Sequence, residues 1–212
     1  MEIFNVNRQT YQHLGRMTYA NLPSPSTVPE GTHATVYGWT APDADWVTRG
    51  GYWIPKNGRA VVHAPTLVNA QAQSASLALV ATVPGWTLPA DMAAMPGLMI
   101  ETWVRVTTSP PSSAQARLIY VGTDSIQNAI ATFNVASLAS SHRVWGEVAR
   151  GNTDSWLTVA NNAQPWSNGT GQGSTTTAQM LASPIRLYYR GGNTDGSEVL
   201  TVQSFSIAVG VG

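Results

Sequence analysis

The stretch Leu98-Met99-Ile100-Glu101-Thr102-Trp103-Val104-Arg105-Val106 decides the fold class. Its even positions are mostly aliphatic, while Glu101 and Arg105 fall on the opposite parity. Because successive side chains of a β-strand point to opposite faces, this alternation predicts a strand with one buried and one solvent-facing side. Residues 185–190 repeat the pattern, and residues 143–150 repeat it more weakly.

The apolar residues between 198 and 209 change parity part-way along. Leu200 and Val202 share one parity, whereas Phe205 and Ile207 share the other. One extra residue in a strand produces such a shift, so we predict a β-bulge near Gln203.

The segment Gly191-Gly192-Asn193-Thr194-Asp195-Gly196 precedes this bulged strand. Its residues tolerate positive φ angles, which is typical of tight turns. We therefore predict that the strand at 185–190 and the strand after the turn form a hairpin.

Helix signals are scarce, because proline and turn residues interrupt most windows before a helical periodicity can build. Residues 68–81, rich in Ala, Gln and Leu, are the exception and are compatible with a linker or with a short helix. The pattern predicts an all-β protein, with a small N-terminal β-hairpin unit followed by an antiparallel β-sandwich or jelly roll.

The density of aromatic residues along the sequence suggests how the chain divides into domains. Residues 17–63 are predicted to be a small aromatic-rich β module, 64–75 a linker, and 76–212 the jelly-roll-like β-sandwich domain. The aromatic residues of the small module are Tyr19, Tyr37, Trp39, Trp46, Tyr52 and Trp53. Residues 1–16 are predicted to dock the protein to a larger particle, through Phe4, Tyr11 and Leu14.

Charge is sparse and balanced. Only 10% of residues are charged, against about a quarter in a typical domain, and 11 basic residues face 11 acidic ones. Nucleic acid and anionic membrane surfaces are therefore not the expected partners. A near-zero net charge favours association, which suggests a permanent oligomer.

Cysteine is absent, which excludes disulfides, thiolate metal sites and cysteine nucleophiles. The first residues show no secretion signal, and no apolar stretch is long enough to cross a bilayer, so we expect synthesis in a host cytoplasm without membrane insertion.

A sequence motif of four parts runs through the small module. Residues 22–32 carry a Leu-Pro opening with a Pro/Gly turn, and residues 34–39 read as a strand. Residues 46–55 read as a Trp-rich hairpin, and the Asn-Gly-Arg motif of residues 56–62 follows it and closes the module. This arrangement resembles tail-fibre or receptor-binding proteins of bacteriophages.

The last two strands and residues 118–122 also resemble jelly-roll, lectin-like fibre tips. The resemblance implies a homotrimer on the virion, attached to other virion proteins through its N-terminus. It further implies that the tip recognises a glycan or protein of the host surface.

Catalytic and metal chemistry finds little support in the sequence. The histidines show no metal-ligand spacing, and Asp43-Ala44-Asp45 offers too few oxygens for a calcium loop, so we expect no metal and no cofactor. Glu101 and Glu147 are a conceivable glycosidase pair, but ion pairs with the nearby Arg105 and Arg143 are the simpler interpretation. No catalytic motif is present, and we predict that the protein is not an enzyme.

Tryptophans of the larger domain are the candidate binding residues. Indole faces stack on sugar rings, and the side-chain amides of Asn and Gln bind hydroxyl groups. The alternative is that these tryptophans lie in the core or at a trimer interface. The candidates are Trp145, Trp156, Trp166, Asn161, Asn162 and Asn168.

Two functions of different class remain open from the sequence. One is a fibre or fibre-tip adhesin that binds the host surface. The other is a purely architectural virion component, such as a collar, capsid-decorating or baseplate protein, that contacts only other virion proteins.

Overall fold

The computed structural model describes residues 12–66, 69–72, 78–109, 117–123, 129–135, 141–151, 154, 156–160, 167–168, 174–190 and 199–211. The strands of this part are β1 (His13–Thr18), β2 (His33–Tyr37), β3 (Ala44–Arg49), β4 (Tyr52–Pro55), β5 (Arg59–His63), β6 (Asn69–Ala72), β7 (Ala78–Leu79), β8 (Leu98–Ser109), β9 (Arg117–Gly122), β10 (Ala129–Val135), β11 (Ser141–Arg150), β12 (Trp156–Ala160), β13 (Ser167–Asn168), β14 (Ser174–Thr175), β15 (Arg186–Arg190) and β16 (Val199–Val211). Its helices are α1 (Ala90–Ala93) and α2 (Thr177–Leu181), with single 3-10 turns at Tyr19–Asn21 and Pro25–Thr27.

These strands form three sheets. The larger sheet has the order β14-β12-β11-β8-β16-β5, with β6 also paired to β16, and the second sheet has the order β13-β10-β9-β15-β7. Both are antiparallel, and together they make the predicted β-sandwich. The small sheet, β1-β2-β3-β4, contains one parallel pair, β1 with β2. Neither described helix approaches the length or hydropathy of a membrane-spanning segment.

The alternation predicted for residues 98–106 is confirmed in β8. Ile100, Val104 and Val106 are buried, and they belong to the same hydrophobic cluster as Val121 and Leu187 of the second sheet. Because one parity of β8 fills the sandwich core, the other parity must face outward.

The predicted bulge is also present. The pairing of β16 with β8 shifts register between Val202 and Ser204, so Gln203 is the extra residue. The shift keeps both Val202 and Phe205 buried.

The predicted hairpin of the last two strands is wrong. β15 lies between β9 and β7 in the second sheet, whereas β16 lies between β8 and β5 in the larger sheet. Each strand has both edges occupied, so neither edge is free to pair with the other strand. The chain instead crosses from one sheet to the other between residues 190 and 199.

The segment 68–81 also differs from expectation. Its described residues are neither linker nor helix: β6 pairs with β16, and β7 pairs with β15. An available strand edge outweighs the intrinsic helix preference of Ala and Gln, because tertiary pairing overrides local propensity.

The small sheet ends at Pro55. β5, which the sequence placed in the small module, pairs with β16 and belongs to the larger sheet. The segment predicted as a linker, 64–75, contains β6. The Asn-Gly-Arg motif therefore forms the turn that leads the chain from the small sheet into the sandwich.

The Trp-rich hairpin of residues 46–55 is present as β3 and β4. Its two loop residues, Gly50 and Gly51, have φ angles of 60° and 82°. Positive φ at both positions defines a type I′ turn, and glycine meets this requirement without strain. The inner face of the hairpin carries Trp46 and Trp53, which are 0% and 2% exposed.

Candidate functional site

The solvent-facing side of the larger sheet carries a tryptophan pair. Trp103 of β8 lies directly opposite Trp145 of β11, and their ring centroids are 5.8 Å apart at an interplanar angle of 47°. Both side chains are half-buried, whereas the adjacent Thr102 and Gly146 are buried toward the core. The pair therefore lies on the side of the sheet that faces away from the second sheet.

Two glutamates flank this pair on the same side. Glu101 lies directly opposite Glu147, one side-chain repeat along the strands from the tryptophans. Burial, and secondly the charge of Glu101, raise the pKa of Glu147. We name the set Glu101, Trp103, Trp145 and Glu147 the Trp–Glu face.

An arginine from two strands away fixes one of the glutamates. Arg59 of β5 reaches across β16, and its Nε donates to Glu101 Oε2 at 2.7 Å. The residues of β16 that lie between them are Ala208 and Gly210, which leave room for the long side chain. At Gly210 an added Cβ would lie 2.9 Å from the carbonyl oxygen of Gly58, so only glycine fits this crossing.

Among the described side chains, Glu101 pairs with Arg59 and not with Arg105, one of the two arginines expected from the sequence. The side chain of Arg143, the other one, lies outside the described part of the protein. In the register of β8 and β11, Arg105 lies opposite Arg143, and Glu101 opposite Glu147. The two glutamates therefore face each other across the strands, and Arg59 of β5 supplies a compensating charge to Glu101.

Removing the charge of Glu147 is expected to stabilise the protein at neutral pH. The raised pKa means that the folded state favours protonated Glu147, so its stability falls as pH rises above the ordinary value of 4.5. We expect Glu147→Gln to raise the free energy of unfolding by about 0.2–0.5 kcal/mol at pH 7, first because a charge is no longer held in a partly buried site and second because the repulsion from Glu101 is removed; solvent screening keeps both effects small.

This gain should shrink as the pH approaches 4.5, and urea denaturation across that range measures it. The matched variant is Glu101→Gln, which keeps an acceptor for Arg59 Nε but loses the ion pair with it, and it should show no comparable gain. A Glu147→Gln gain that is independent of pH would contradict the electrostatic explanation.

A cleft of about 390 Å³ adjoins Arg59 at the junction of the small and larger sheets. We name it the Asn57 cleft. Its lining residues are Pro42, Asp43, Ala44, Asp45, Asn57, Arg59, Ala60 and Val61.

The two carboxylates of this cleft are held in place. Arg16 Nε donates to Asp43 Oδ2 at 2.5 Å, and the hydrogen bond to Arg16 lowers the pKa of Asp43. Thr35 Oγ1 donates to Asp45 Oδ1 at 2.7 Å. The Arg16 guanidinium also lies 4.2 Å from the ring centroid of Tyr37, which supports its position.

These contacts also bear on metal binding. Among the described residues, no group of three or more His, Asp and Glu side chains is arranged to hold a metal ion. Asp43 and Asp45 are directed to Arg16 and Thr35 rather than to a common point.

One predicted binding residue lies on the Trp–Glu face, and another lies in the core instead of on the surface. Trp145 is on that face, but Trp156 is 0% exposed and its Nε1 donates to Thr177 Oγ1 at 3.1 Å. Trp156 belongs to the core because its side of β12 faces inward. Asn168 lies in β13, where its backbone pairs with that of Asn134.

The remaining predicted residues are placed as follows. Leu14 is partly buried and packs against the hydrophobic core. Trp166, Asn161, Asn162, Phe4 and Tyr11 lie outside the described residues.

Sequence reasoning missed Trp103, although a signal existed. Trp103 shares the parity of Glu101 and Arg105, so the alternation that predicted β8 already placed it on the outward side. Arg59 and Asn57 had no such signal, because their position depends on the pairing of β5 with β16.

No known protein family and no curated protein matches the sequence. Among solved structures, the chain is similar to the CBM2 module of the evolved Dit protein of Lactobacillus casei BL23 phage J-1, at 8% identity and a TM-score of 0.28, covering 82% of each chain. It is also similar to a protein of unknown function from Shewanella oneidensis MR-1, at 13% identity and a TM-score of 0.33, covering 85% of this chain and 87% of the other.

A third similar structure is the lectin from Bauhinia forficata in complex with GalNAc, at 9% identity and a TM-score of 0.30, covering 85% of this chain and 92% of the lectin. At identities and TM-scores this low, the ligands of these proteins say nothing about the ligand of this chain.

Proposed function

We propose that this chain is a non-catalytic adhesin of a bacteriophage virion, in a tail fibre or fibre tip, that binds a host-surface glycan. The observation that carries the proposal is the Trp–Glu face, where Trp103 and Trp145 lie side by side on the solvent-facing side of a rigid sheet. A pair of half-buried aromatic residues next to acidic residues on the outer side of a sheet suits a ligand that is apolar on one side and rich in hydroxyl groups on the other.

Each part of the face has a role in this proposal. The indole rings supply apolar surface for the C–H side of a sugar ring, and the glutamates accept hydrogen bonds from its hydroxyl groups. Arg59 holds Glu101 in one orientation before the ligand arrives, which lowers the entropy lost on binding.

The proposal assigns no bond cleavage to Glu101 and Glu147. A glycosidase uses one carboxyl as acid and the other as nucleophile or base across a scissile bond. We expect capsule or lipopolysaccharide incubated with the protein to release no reducing ends. Release that is abolished by Glu147→Gln would replace the adhesin proposal with a hydrolase.

The assignment to a virion rests on the sequence motif that spans residues 22–62. This motif forms β2, β3 and β4 of the small sheet and the turn into β5. A homotrimer attached through its N-terminal segment is part of the proposal. Light scattering tests the oligomer, and a mass near that of the single 22.6 kDa chain would contradict the trimer. Antibody labelling of intact particles tests the location.

Trp145→Ala is expected to weaken binding to host cells or purified envelope polysaccharide by about tenfold or more. A tryptophan at the centre of an interface contributes about 2 kcal/mol or more, and about 1.4 kcal/mol corresponds to a factor of ten. Calorimetric titration with the purified polysaccharide measures the change, after the melting temperature has shown that the variant is folded.

The matched control is Leu181→Ala, which removes a large hydrophobic side chain that is 37% exposed on α2 and should leave binding unchanged. Unaltered binding in both Trp103→Ala and Trp145→Ala would refute the site. If the unmodified protein binds neither host cells nor polysaccharide, the architectural role is favoured instead.

A further inference from the structure

We propose that the Asn57 cleft is a second saccharide subsite, continuous with the Trp–Glu face, and that the two together bind an extended, uncharged polysaccharide segment rather than a single terminal sugar. This inference rests on the proposed function and specifies its ligand. No residue of the cleft was a saccharide-binding candidate from the sequence.

Continuity follows from the pairing of three adjacent strands. Val61 of β5 lies opposite Ala208 of β16, which lies opposite Glu101 of β8. Side chains in register across neighbouring strands share a face, so the outward side chains of β5 are on the same side of the sheet as Glu101. Arg59 both lines the cleft and bonds Glu101, so it belongs to both surfaces.

The spacing of the two surfaces fits a chain of sugars. Glu101 and Trp103 are two positions apart on β8, which is about 7 Å along the strand. The side chain of Arg59 then crosses the width of β16, from the cleft to Glu101. A single sugar covers only part of this distance, whereas a polysaccharide segment follows it from the tryptophans into the cleft.

The cleft combines the two kinds of surface that a sugar requires. Pro42, Ala44 and Val61 supply apolar wall, and Asn57 supplies an exposed amide with both a donor and an acceptor. Asp45 has one carboxylate oxygen bonded to Thr35, which fixes the plane of the group. Planar groups held in this way bind neighbouring hydroxyls without a large entropy cost.

The charges around the cleft favour a neutral ligand. Arg16 neutralises Asp43, and Arg59 neutralises Glu101, within two ion pairs. Asp45 carries a negative charge with no ion-pair partner among the described residues. An acidic sugar would face this net negative charge, so uncharged polysaccharide is the expected class.

Affinity as a function of ligand length tests the inference. The probes are neutral glucan, galactan and mannan monosaccharides and their size-fractionated oligomers, with oligogalacturonides as the acidic counterpart. For the neutral series that the unmodified protein binds, we expect long oligomers to bind at least about tenfold more tightly than the monosaccharide. Asn57→Ala should remove most of this gain while leaving monosaccharide affinity unchanged.

Two further variants separate the surfaces. Trp145→Ala should weaken binding at every length, because it removes the shared anchor. Arg49→Ala, which alters an exposed side chain of a different cleft of the small sheet, should match the unmodified protein. Asp45→Asn keeps an acceptor for Thr35 but removes the charge, and it should raise affinity for oligogalacturonides severalfold.

The outcomes distinguish the two proposals. If the unmodified protein binds no saccharide of any length, the proposed function fails and the subsite fails with it. If it binds but shows no gain with length, or if Asn57→Ala keeps the full gain, only the subsite is wrong. Tighter binding of oligogalacturonides than of neutral oligomers overturns the assignment of a neutral ligand.

Discussion

Replacing Trp46 by alanine is expected to lower the free energy of unfolding by about 3–5 kcal/mol. Trp46 is 0% exposed, and its ring centroid lies 5.3 Å from that of Tyr19 and 5.7 Å from that of Trp39. Truncation leaves a cavity among rigid aromatic rings that cannot close over it. Urea denaturation followed by circular dichroism measures the loss.

The control for this variant is Tyr37→Ala, which removes an aromatic ring that is 36% exposed on the outer side of the same sheet. We expect a loss below about 1 kcal/mol there. An equally small loss for Trp46→Ala would show that the aromatic cluster does not hold the small sheet. Two separate transitions in Trp46→Ala would support the predicted division into a small module and a sandwich.

Trp156→Ala is expected to cost a similar amount, about 3–5 kcal/mol, without changing saccharide affinity at temperatures where the variant is folded. Its ring is fully buried, and its Nε1 bonds Thr177 at the first residue of α2. The backbone N–H of Thr177 also donates to Asp154 at 2.8 Å, so the loss of Trp156 loosens one side of this helix start.

Trp156→Phe serves as the graded comparison. It keeps much of the apolar ring surface but loses the hydrogen bond to Thr177, and we expect a cost of about 0.5–1.5 kcal/mol from the loss of this partly buried bond. The pair of variants separates packing from hydrogen bonding. Loss of saccharide binding in a fully stable Trp156→Ala protein would place this residue on the surface and contradict its position in the core.

Local patterns predicted local structure well. The alternation of residues 98–106 identified β8, and the parity change in residues 198–209 identified the bulge at Gln203. The Gly50-Gly51 turn joined the Trp-rich hairpin as expected. Each of these features depends on side chains within a few residues of one another, so the sequence carries the relevant information directly.

Strand partners were not predictable in the same way. The turn residues at 191–196 suggested a hairpin, but β15 and β16 lie in different sheets. The weak pattern at 68–81 became strand because distant edges were available at β16 and β15. Pairing is decided by contacts far apart in sequence, which local propensity does not report.

The residues of the candidate site follow the same distinction between local patterns, which the sequence shows, and distant strand pairings, which it does not. Trp145 was predicted from its residue type and the polar residues that follow its strand, and Trp103 follows from parity. Trp156 was misplaced because a short strand beside polar residues gives no indication of which side faces the core. The bond from Arg59 to Glu101 spans 42 residues and depends on two strand pairings, so no local pattern points to it.

The position of β16 also has a consequence for how the protein is made. β5 emerges from the ribosome well before residues 199–211, yet both β5 and β8 pair with β16. Until that strand is synthesised, each of them exposes an unpaired edge, and such edges recruit other nascent chains. Completion of the larger sheet is therefore a late event with long loop closures, and we expect slow folding and a dependence of yield on expression temperature.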